Sequence, residues 1–430
     1  MGQGQNQGQN QGWDHGQDQG QDQDQDQSQN QGRGQDLSDR QYLIDPSHGF
    51  DDLRDGVVRA VNPLVFLADP LRLLRAYRFQ AVLTFRLAPQ TVALIRQALP
   101  GIQRVAPERV RVEMDAILAA PGGAAAVAAM AADGLLYQVI PELAAGLGLR
   151  QSDSHHLDVS EHGIETLRQM ERVLAQPDRF FSASSREFHC YLEASDHPDR
   201  ALTLRWAALL HDLGKAATCA HEGERITFYN HDRIGAERCR QVSVRLRFSR
   251  EREALLQLLV ANHMWPFHLS NVRLQAATAT IPTAATAVNL SLPSCKGGVS
   301  PRACLRLARV LGRDLPALFL LAMADSLAGR GPGKPPAMEQ NLADLFAEII
   351  IVTRERIDPV LKQPLLNGND LQHIFALEPG PVFKVILSDI ETARVEGKIS
   401  SRVDALIWVR QLISSTSTLS LLVDRHRSTN

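Results

Sequence analysis

From residue 36 onward apolar positions recur at helical spacing, and the residue runs that favour strands are scarce. The chain before that point differs. Residues 1–35 alternate Gln with Gly, Asn or Asp and carry almost no apolar side chains, so they cannot bury enough surface to offset their ordering entropy. The tract is predicted to be a disordered tail. Its Asp22, Asp24 and Asp26 spell a metal-like D-x-D-x-D, but such a repeat has no rigid element to hold carboxylates around an ion. Residues 45–62 form a turn-rich opening segment with Gly49 and Gly56 as breakers. Asp69-Pro70 then predicts a helix start, with Asp as N-cap and Pro at the first helical position. That helix reads DPLRLLRAYRFQAVLTF and carries Arg72, Arg75 and Arg78 at intervals of three on one flank.

Further helices are expected over 89–99, over 107–119 behind Pro107, and over the Ala-rich 122–133. A second helical unit follows, interrupted by irregular stretches at 176–200 and 272–300, the latter an Ala- and Thr-rich surface loop. The breaker cluster Gly329-Arg330-Gly331-Pro332-Gly333 closes that unit. A third helical region covers 338–425, its helices separated by LLNGNDL and Pro379-Gly380-Pro381. The expected fold is mainly α. Its expected parts are a tail at 1–35, a helical body at 36–150, an inserted all-α unit at 151–335 and a helical C-terminal region at 336–430.

Bulk composition narrows the function without naming it. The 430 residues suffice for two or three cores, and a 44% hydrophobic content is that of a soluble globular protein. A net charge of −2 gives no global pull toward nucleic acid or membrane, so any RNA surface must be local. Five cysteines at 190, 219, 239, 295 and 304 form no C-x-x-C pair. That odd count argues against a disulfide framework and suits a reducing cytoplasm. No signal peptide opens the chain, and the strongest apolar run, 315–324, is about half a membrane span. No membrane role is expected.

Candidate chemistry gathers in the middle unit: His162, the pair His211-Asp212, His231, His263 and Asp325, each in or beside a predicted helix. The run ALTLRWAALLHDLGK sets His211 and Asp212 at the end of an apolar helix, just before Gly214. Adjacent helical residues point about 100° apart, so both can reach one ion only by leaning toward it from the helix end. Mixed nitrogen and oxygen ligands suit Mn, Fe, Ni or Zn better than Ca and leave positions for water. Such a site lowers the pKa of bound water enough to attack phosphorus near neutral pH. Lys215, one turn on, is placed to hold a phosphate oxygen. A second His-Asp pair, His231-Asp232, sits in the polar run FYNHDRIG and is read as loop. The first ligand is His162 or one of His155 and His156; the amphipathic pattern SEHGIETLRQM favours His162.

The order His, His-Asp, His, His, Asp resembles the HD-domain phosphohydrolases. The resemblance implies His162, His211, Asp212 and Asp325 as ligands of a divalent metal (Mn, Ni, Mg or Fe), with His231 and His263 as second-metal or phosphate contacts. With Lys215 one turn on, His211 and Asp212 make the expected catalytic group.

A second resemblance covers nearly all of 37–415. LIDPSHGFDDLRDGVVRAVNPLVFLADPLRLLRAYRFQAVLTF, then VAPERVRVEMDAIL, then LLNGNDLQHIFALEPGPVFKVIL with ARVEGKI are similar to the class II tRNA nucleotidyltransferase and poly(A) polymerase family, the CCA-adding type. Members of that family often carry an HD domain in this middle position. The resemblance implies a neck, body and tail that handle a tRNA 3′ end and a nucleotide, CTP or ATP. Asp69 and Arg72 match the pair that reads the nucleotide: a carboxylate accepts from the exocyclic amine, and a guanidinium donates to the ring nitrogen beside it. A plain N-cap is the alternative role for Asp69. Ala68 stands where the family usually has Glu. Arg75 and Arg78 are expected beside phosphates or RNA backbone, or else on a solvated or internally paired face. Glu108 and Arg109 match a motif that braces the neck. The family's catalytic head, a β-sheet with two metal-binding carboxylates, has no counterpart in residues 1–35. The expectation is therefore an RNA-linked phosphohydrolase without nucleotidyl transfer. The alternatives are a non-catalytic RNA-binding body served by a separately encoded head, and a CCA- or A-adding enzyme whose head lies upstream.

Overall fold

The computed structural model describes residues 44–195, 199–223, 225–279 and 298–414. The predicted tail at 1–35, most of the predicted 272–300 loop and residues 415–425 of the last helical region lie outside them. The described residues fall into two units, 44–55 and 56–414. In the first, α1 (Gly49–Arg54) is started by the Asp45 carboxylate, which accepts from the backbone N–H of Gly49 at 2.8 Å and of Phe50 at 2.9 Å.

The second unit is mainly α, as the apolar spacing requires. Its described strands are short: β1 (Val57–Val58) pairs in parallel with β2 (Arg86–Leu87), and β3 (Ala220–Glu222) pairs antiparallel with β4 (Arg225–Thr227). Between β1 and β2 lie α2 (Val65–Ala68) and α3 (Arg72–Leu83). The helix predicted to begin at Pro70 thus begins two residues late, at Arg72. Asp69, Pro70 and Leu71 form a tight turn in which the Asp69 carbonyl accepts from Arg72 N–H at 3.0 Å and the carboxylate accepts from Leu71 N–H at 3.3 Å. Next come α4 (Pro89–Ala98), α5 (Pro107–Ala119), α6 (Gly123–Ala132) and α7 (Leu135–Val139). On α5 Val110, Met114, Ile117 and Leu118 repeat at helical spacing and are buried.

The middle of the unit runs α8 (Val159–Ala175), α9 (Pro177–Phe180), α10 (Ser185–Glu193), α11 (Arg200–Leu210) and α12 (Lys215–Thr218). The stretch expected to be irregular is thus helical over Pro177–Phe180 and Ser185–Glu193. Pro177 starts a short helix there, and Phe181 and Phe188 stack on Phe346, ring centroids 5.9 and 4.5 Å away, so buried aromatics order what a broken polar pattern concealed. After β4 come α13 (His231–Arg245), α14 (Arg250–Asn262) and α15 (Trp265–Ala279), which carries helix into the predicted 272–300 loop. α16 (Pro301–Leu311) and α17 (Leu315–Ala328) follow. α17 is buried almost all round, packed on α8, α11 and α18 (Met338–Val352), which explains an apolar run too short for a membrane. Among the described residues no helix is long and apolar enough to cross a bilayer. A π turn at Thr353–Ile357 leads to α19 (Asp358–Lys362), α20 (Gly368–Phe375), α21 (Pro381–Val395) and α22 (Arg402–Ser414).

One apolar core extends from Val65 to Val360 and takes in Val395 of α21, and a smaller one joins α20, α21 and α22. The shared core ties the arginine-bearing α3 to the histidine-bearing helices. A polar clamp adds to it: the Asp115 carboxylate on α5 accepts from Trp206 Nε1 on α11 at 2.8 Å and from Arg252 on α14 at 2.8 Å.

Candidate metal centre and arginine helix

Three helices converge on the centre. α8 is opened by a capping box: the Asp158 carboxylate accepts from Glu161 N–H at 2.8 Å, and the Glu161 carboxylate accepts in return from Asp158 N–H at 3.4 Å. That fixed start places His162 on the inward face one turn on, wholly buried. α11 ends at His211, whose Nδ1 lies 3.0 Å from the Ala208 carbonyl, one of the acceptors a helix end leaves without a backbone partner. α17 brings Asp325 from the opposite side, its Oδ1 2.9 Å from His162 Nε2.

Gly214 explains how His231 arrives. A Cβ there would sit 1.9 Å from the His231 carbonyl oxygen, so only glycine lets the turn after Asp212 press against the start of α13. His231 is consequently the first residue of a helix and buried, which corrects its reading as loop; Asn230, in the left-handed conformation, begins that helix inside a polar run. Asp232 faces outward and caps only Arg233 N–H. His263 closes α14 as His211 closes α11, its Nδ1 2.7 Å from the Val260 carbonyl.

The side chains form two groups whose ligand atoms lie within 4.8 Å of one another: His162, His211 and Asp325; and Asp212, His231 and His263. All six are buried. Asp212 serves both groups, with Oδ2 3.1 Å from His211 Nε2 and 3.7 Å from His162 Nε2, and Oδ1 3.7 Å from His231 Nε2 and 3.8 Å from His263 Nε2. Lys215 donates to Asp212 Oδ2 at 2.7 Å and to Gln151 Oε1 at 2.6 Å. His155 lies edge-on to His162, ring centroids 4.5 Å apart, and belongs to neither group; His156 is exposed.

The donor set fits a divalent cation. Nδ1 of His211, His231 and His263 is each directed at a carbonyl, which leaves Nε2 of each to present its lone pair to the centre. His211 Nε2 and Asp212 Oδ1 are buried with no hydrogen-bond partner. Burial opposes a charged His211, but Asp212 and then Asp325 outweigh it and raise its pKa to about 9. Burial likewise works against a charged Asp212, yet His211 and Lys215 hold its carboxyl well below the usual range. Asp325 is held low in the same way by His211 and His162. Burial pushes His162 down, and burial followed by the neighbouring His211 and His231 pushes His263 down to about 4. The two carboxylates therefore demand positive charge at the nitrogen that a metal ion would take.

The arginine helix has a different character. Arg75 and Arg78 both turn to Glu113 on α5, at 3.0 and 3.2 Å, and that carboxylate is only 4% exposed. Arg72 is 45% exposed and stands 4.0 Å from Asp69, which Arg109 also approaches at 3.8 Å. Asp69, Arg72 and Arg109 thus share one surface, and Glu108 pairs instead with Arg247 at 3.7 Å. The Glu113 anchor, the Gln151–Lys215 contact and the position of His155 were not singled out from the sequence. A glutamate at an inward helical position was the signal available for the first.

Two family models match the chain: the probable RNA and SrmB-binding site of polymerase A over residues 84–147, and the HD domain over residues 159–284. An A-adding tRNA nucleotidyltransferase of Deinococcus radiodurans is 32% identical over 395 residues, covering 88% of this chain and 76% of the relative. A CC-adding tRNA nucleotidyltransferase of Thermus thermophilus is 29% identical over 83% of this chain and 69% of its own length. A multifunctional CCA protein of Pseudomonas fluorescens is 31% identical, and there the match spans 52% of this chain and 50% of the relative. A solved CCA-adding enzyme in apo form aligns over 87% of this chain and 67% of its own, at 16% identity and a TM-score of 0.48, too loose to add weight. With an RNA-binding segment, an HD domain and a relative matched over most of both chains, this protein belongs to the class II tRNA nucleotidyltransferase family.

Proposed function

We propose that the chain is an RNA-binding protein of tRNA 3′-end processing that carries a divalent-metal phosphohydrolase site of HD type. The observation that carries this reading is the pair of buried His/Asp groups joined by Asp212. A divalent cation (Mn, Ni, Mg or Fe) held there would lower the pKa of a bound water toward neutrality and polarise a phosphoryl oxygen. The protein's part is to fix His162, His211 and Asp325 around one position and Asp212, His231 and His263 around the other. Lys215 steadies Asp212 and offers its remaining N–H to a phosphate oxygen. The substrate proposed is a phosphoester at a tRNA 3′ end, such as a 2′,3′-cyclic phosphate, in the cytoplasm. Arg72 and Asp69 would take the terminal nucleotide or CTP or ATP, with Arg75 and Arg78 behind them. Hydrolysis of bis-p-nitrophenyl phosphate and of a 2′,3′-cyclic nucleotide with Mn or Ni tests the reading. Wild type should turn both over, and His211→Ala with Asp212→Ala should not; inert metal-loaded wild type would end the proposal.

The A-adding relative favours a second reading, nucleotidyl transfer to tRNA. Each sheet among the described residues has two short strands, so the paired carboxylates on a rigid sheet that in-line transfer requires are not among them. We expect this chain alone to bind tRNA without incorporating labelled ATP or CTP, unless a separately encoded head supplies the carboxylates. Incorporation by purified protein would make the second reading the right one.

A further inference from the structure

Beside the metal centre, residues 151–155 are held against the end of the helix that carries Asp325. Gly331 N–H donates to the Ser154 carbonyl at 2.9 Å, Gly333 N–H to the Asp153 carbonyl at 3.0 Å, and the Ser154 hydroxyl to the Gly333 carbonyl at 3.2 Å. A Cβ at Gly331 would meet the Asp153 carbonyl oxygen at 2.0 Å, so this approach exists only because that residue is glycine. The glycine cluster, which looks like a plain domain boundary in the sequence, is a clamp that fixes His155.

His155 has no structural duty that accounts for such fixing. Its ring stands edge-on to His162, Nδ1 is buried against the Gly329 backbone without a partner, and no hydrogen bond to either ring nitrogen is present among the described residues. Gln151 lies four residues earlier and grips Lys215 at 2.6 Å, which leaves that ammonium a third N–H after Asp212 is served. An imidazole against His162 and an ammonium on Asp212 are thus both tied to the one segment 151–155 beside the ligands. An imidazole N–H and an ammonium next to a metal would match the non-bridging oxygens of a phosphoester.

We propose that His155 and Lys215, the latter steadied by Gln151, form a phosphoryl-oxygen pocket beside the metal centre, with His155 orienting the substrate. The inference rests on the phosphohydrolase reading and names the contacts that reading requires. Radiolabelled orthophosphate is dialysed to equilibrium against Mn-loaded wild type, His155→Phe and His155→Gln, with bound Mn measured in the same samples. The pocket predicts unchanged Mn content in all three, phosphate binding about tenfold weaker in His155→Phe, and recovery in His155→Gln, which keeps an N–H. Should His155→Phe fail to fold, Gln151→Leu, which loosens Lys215, carries the same expectation of weaker phosphate binding at unchanged Mn. Equal phosphate binding in wild type and the variants overturns the pocket, and a fall in Mn content overturns it by making His155 a metal ligand. Phosphate bound by a protein inert toward every phosphoester sinks the hydrolase reading alone. An active wild type whose phosphate binding ignores these variants sinks the pocket alone.

Discussion

His231 and His263 face each other through Nε2 atoms 3.2 Å apart, while Nδ1 of each is directed at a backbone carbonyl. Two imidazoles so tethered direct lone pairs at one another, which is repulsive unless a proton or a cation lies between them. Since burial and neighbouring charge push His263 down to about 4, a proton is a poor mediator at neutral pH. In the proposed centre the pair would be ligands of a second ion, with Asp212 placed to reach both groups.

That relationship sets a stoichiometry. Wild type dialysed against Mn should retain about two ions per chain, and His263→Gln about one. Elemental analysis after desalting decides between them. Loss of both ions in His263→Gln would mean that the two groups do not fill separately.

Metal-free protein should have a stability optimum near pH 6.5. His211 is raised from 6.5 to about 9, so its stabilisation is complete below 6.5 and fades as pH rises through 9. His263 behaves oppositely. It is lowered from 6.5 to about 4, so the unfolded chain takes up its proton first and stability falls as pH drops from 6.5 toward 4. Melting in EDTA across pH 4–10 should rise and then fall, and His211→Gln should remove the alkaline decline while leaving the acid one. The same proton makes Mn binding at pH 7.5 release protons, read by calorimetry in buffers of different ionisation enthalpy. A flat profile above pH 6.5 in wild type would contradict the charged His211.

The arginines of α3 should separate by role. Glu113 is buried and takes both Arg75 and Arg78, so Glu113→Ala should cost about 1–3 kcal/mol in denaturant unfolding. Arg72, 45% exposed and held only by long contacts to Asp69 at 4.0 Å and the Val65 carbonyl at 3.4 Å, should be dispensable for stability. Arg72→Ala is expected to weaken ATP or CTP binding without moving the unfolding midpoint. Nucleotide titration of Arg72→Ala beside Arg75→Ala checks this, and equal losses from both would deny Arg72 a distinct place.

The helical body and the His211-Asp212 pair are legible because each depends on a pattern along the chain: helical apolar spacing, an apolar helix ending at His211, a Gly three residues later; His231, His263 and Asp325 stand out only through the order of the whole set and its resemblance to HD domains. What was not legible depends on contacts between distant segments. His231 looked like loop because the residues before it are polar, and its burial comes from Gly214 pressing on α13. Residues 176–200 looked irregular because their order is supplied by Phe346, more than 140 residues away. Arg75 and Arg78 fit an RNA-facing row or an internally paired face equally well by spacing, and the Glu113 that pairs with both lies 38 residues from Arg75. Spacing shows which face of a helix is apolar; it is silent on which charge waits opposite.

The clamp between α5, α11 and α14 gives the last expectation. Asp115 accepts from Trp206 Nε1 at 2.8 Å, from Arg252 at 2.8 Å and from Arg111 at 3.2 Å, while Arg252 also reaches Asp199 at 2.7 Å. Arg252 is 5% exposed, and Asp199, its other carboxylate, is half exposed, so Asp115 is the partner that water cannot replace. Asp115→Ala leaves the guanidinium and the indole N–H buried without their acceptor and should cost roughly 3 kcal/mol. Replacing both charges, Asp115→Leu with Arg252→Met, removes the stranded group along with its partner and should recover much of that loss. Because α11 ends at His211, the single variant should also loosen the centre, seen as faster Mn loss to a chelator, and the double variant should restore it. If Asp115→Ala unfolds at the wild-type midpoint, the clamp is surface decoration and the shared apolar core alone joins the arginine helix to the metal centre.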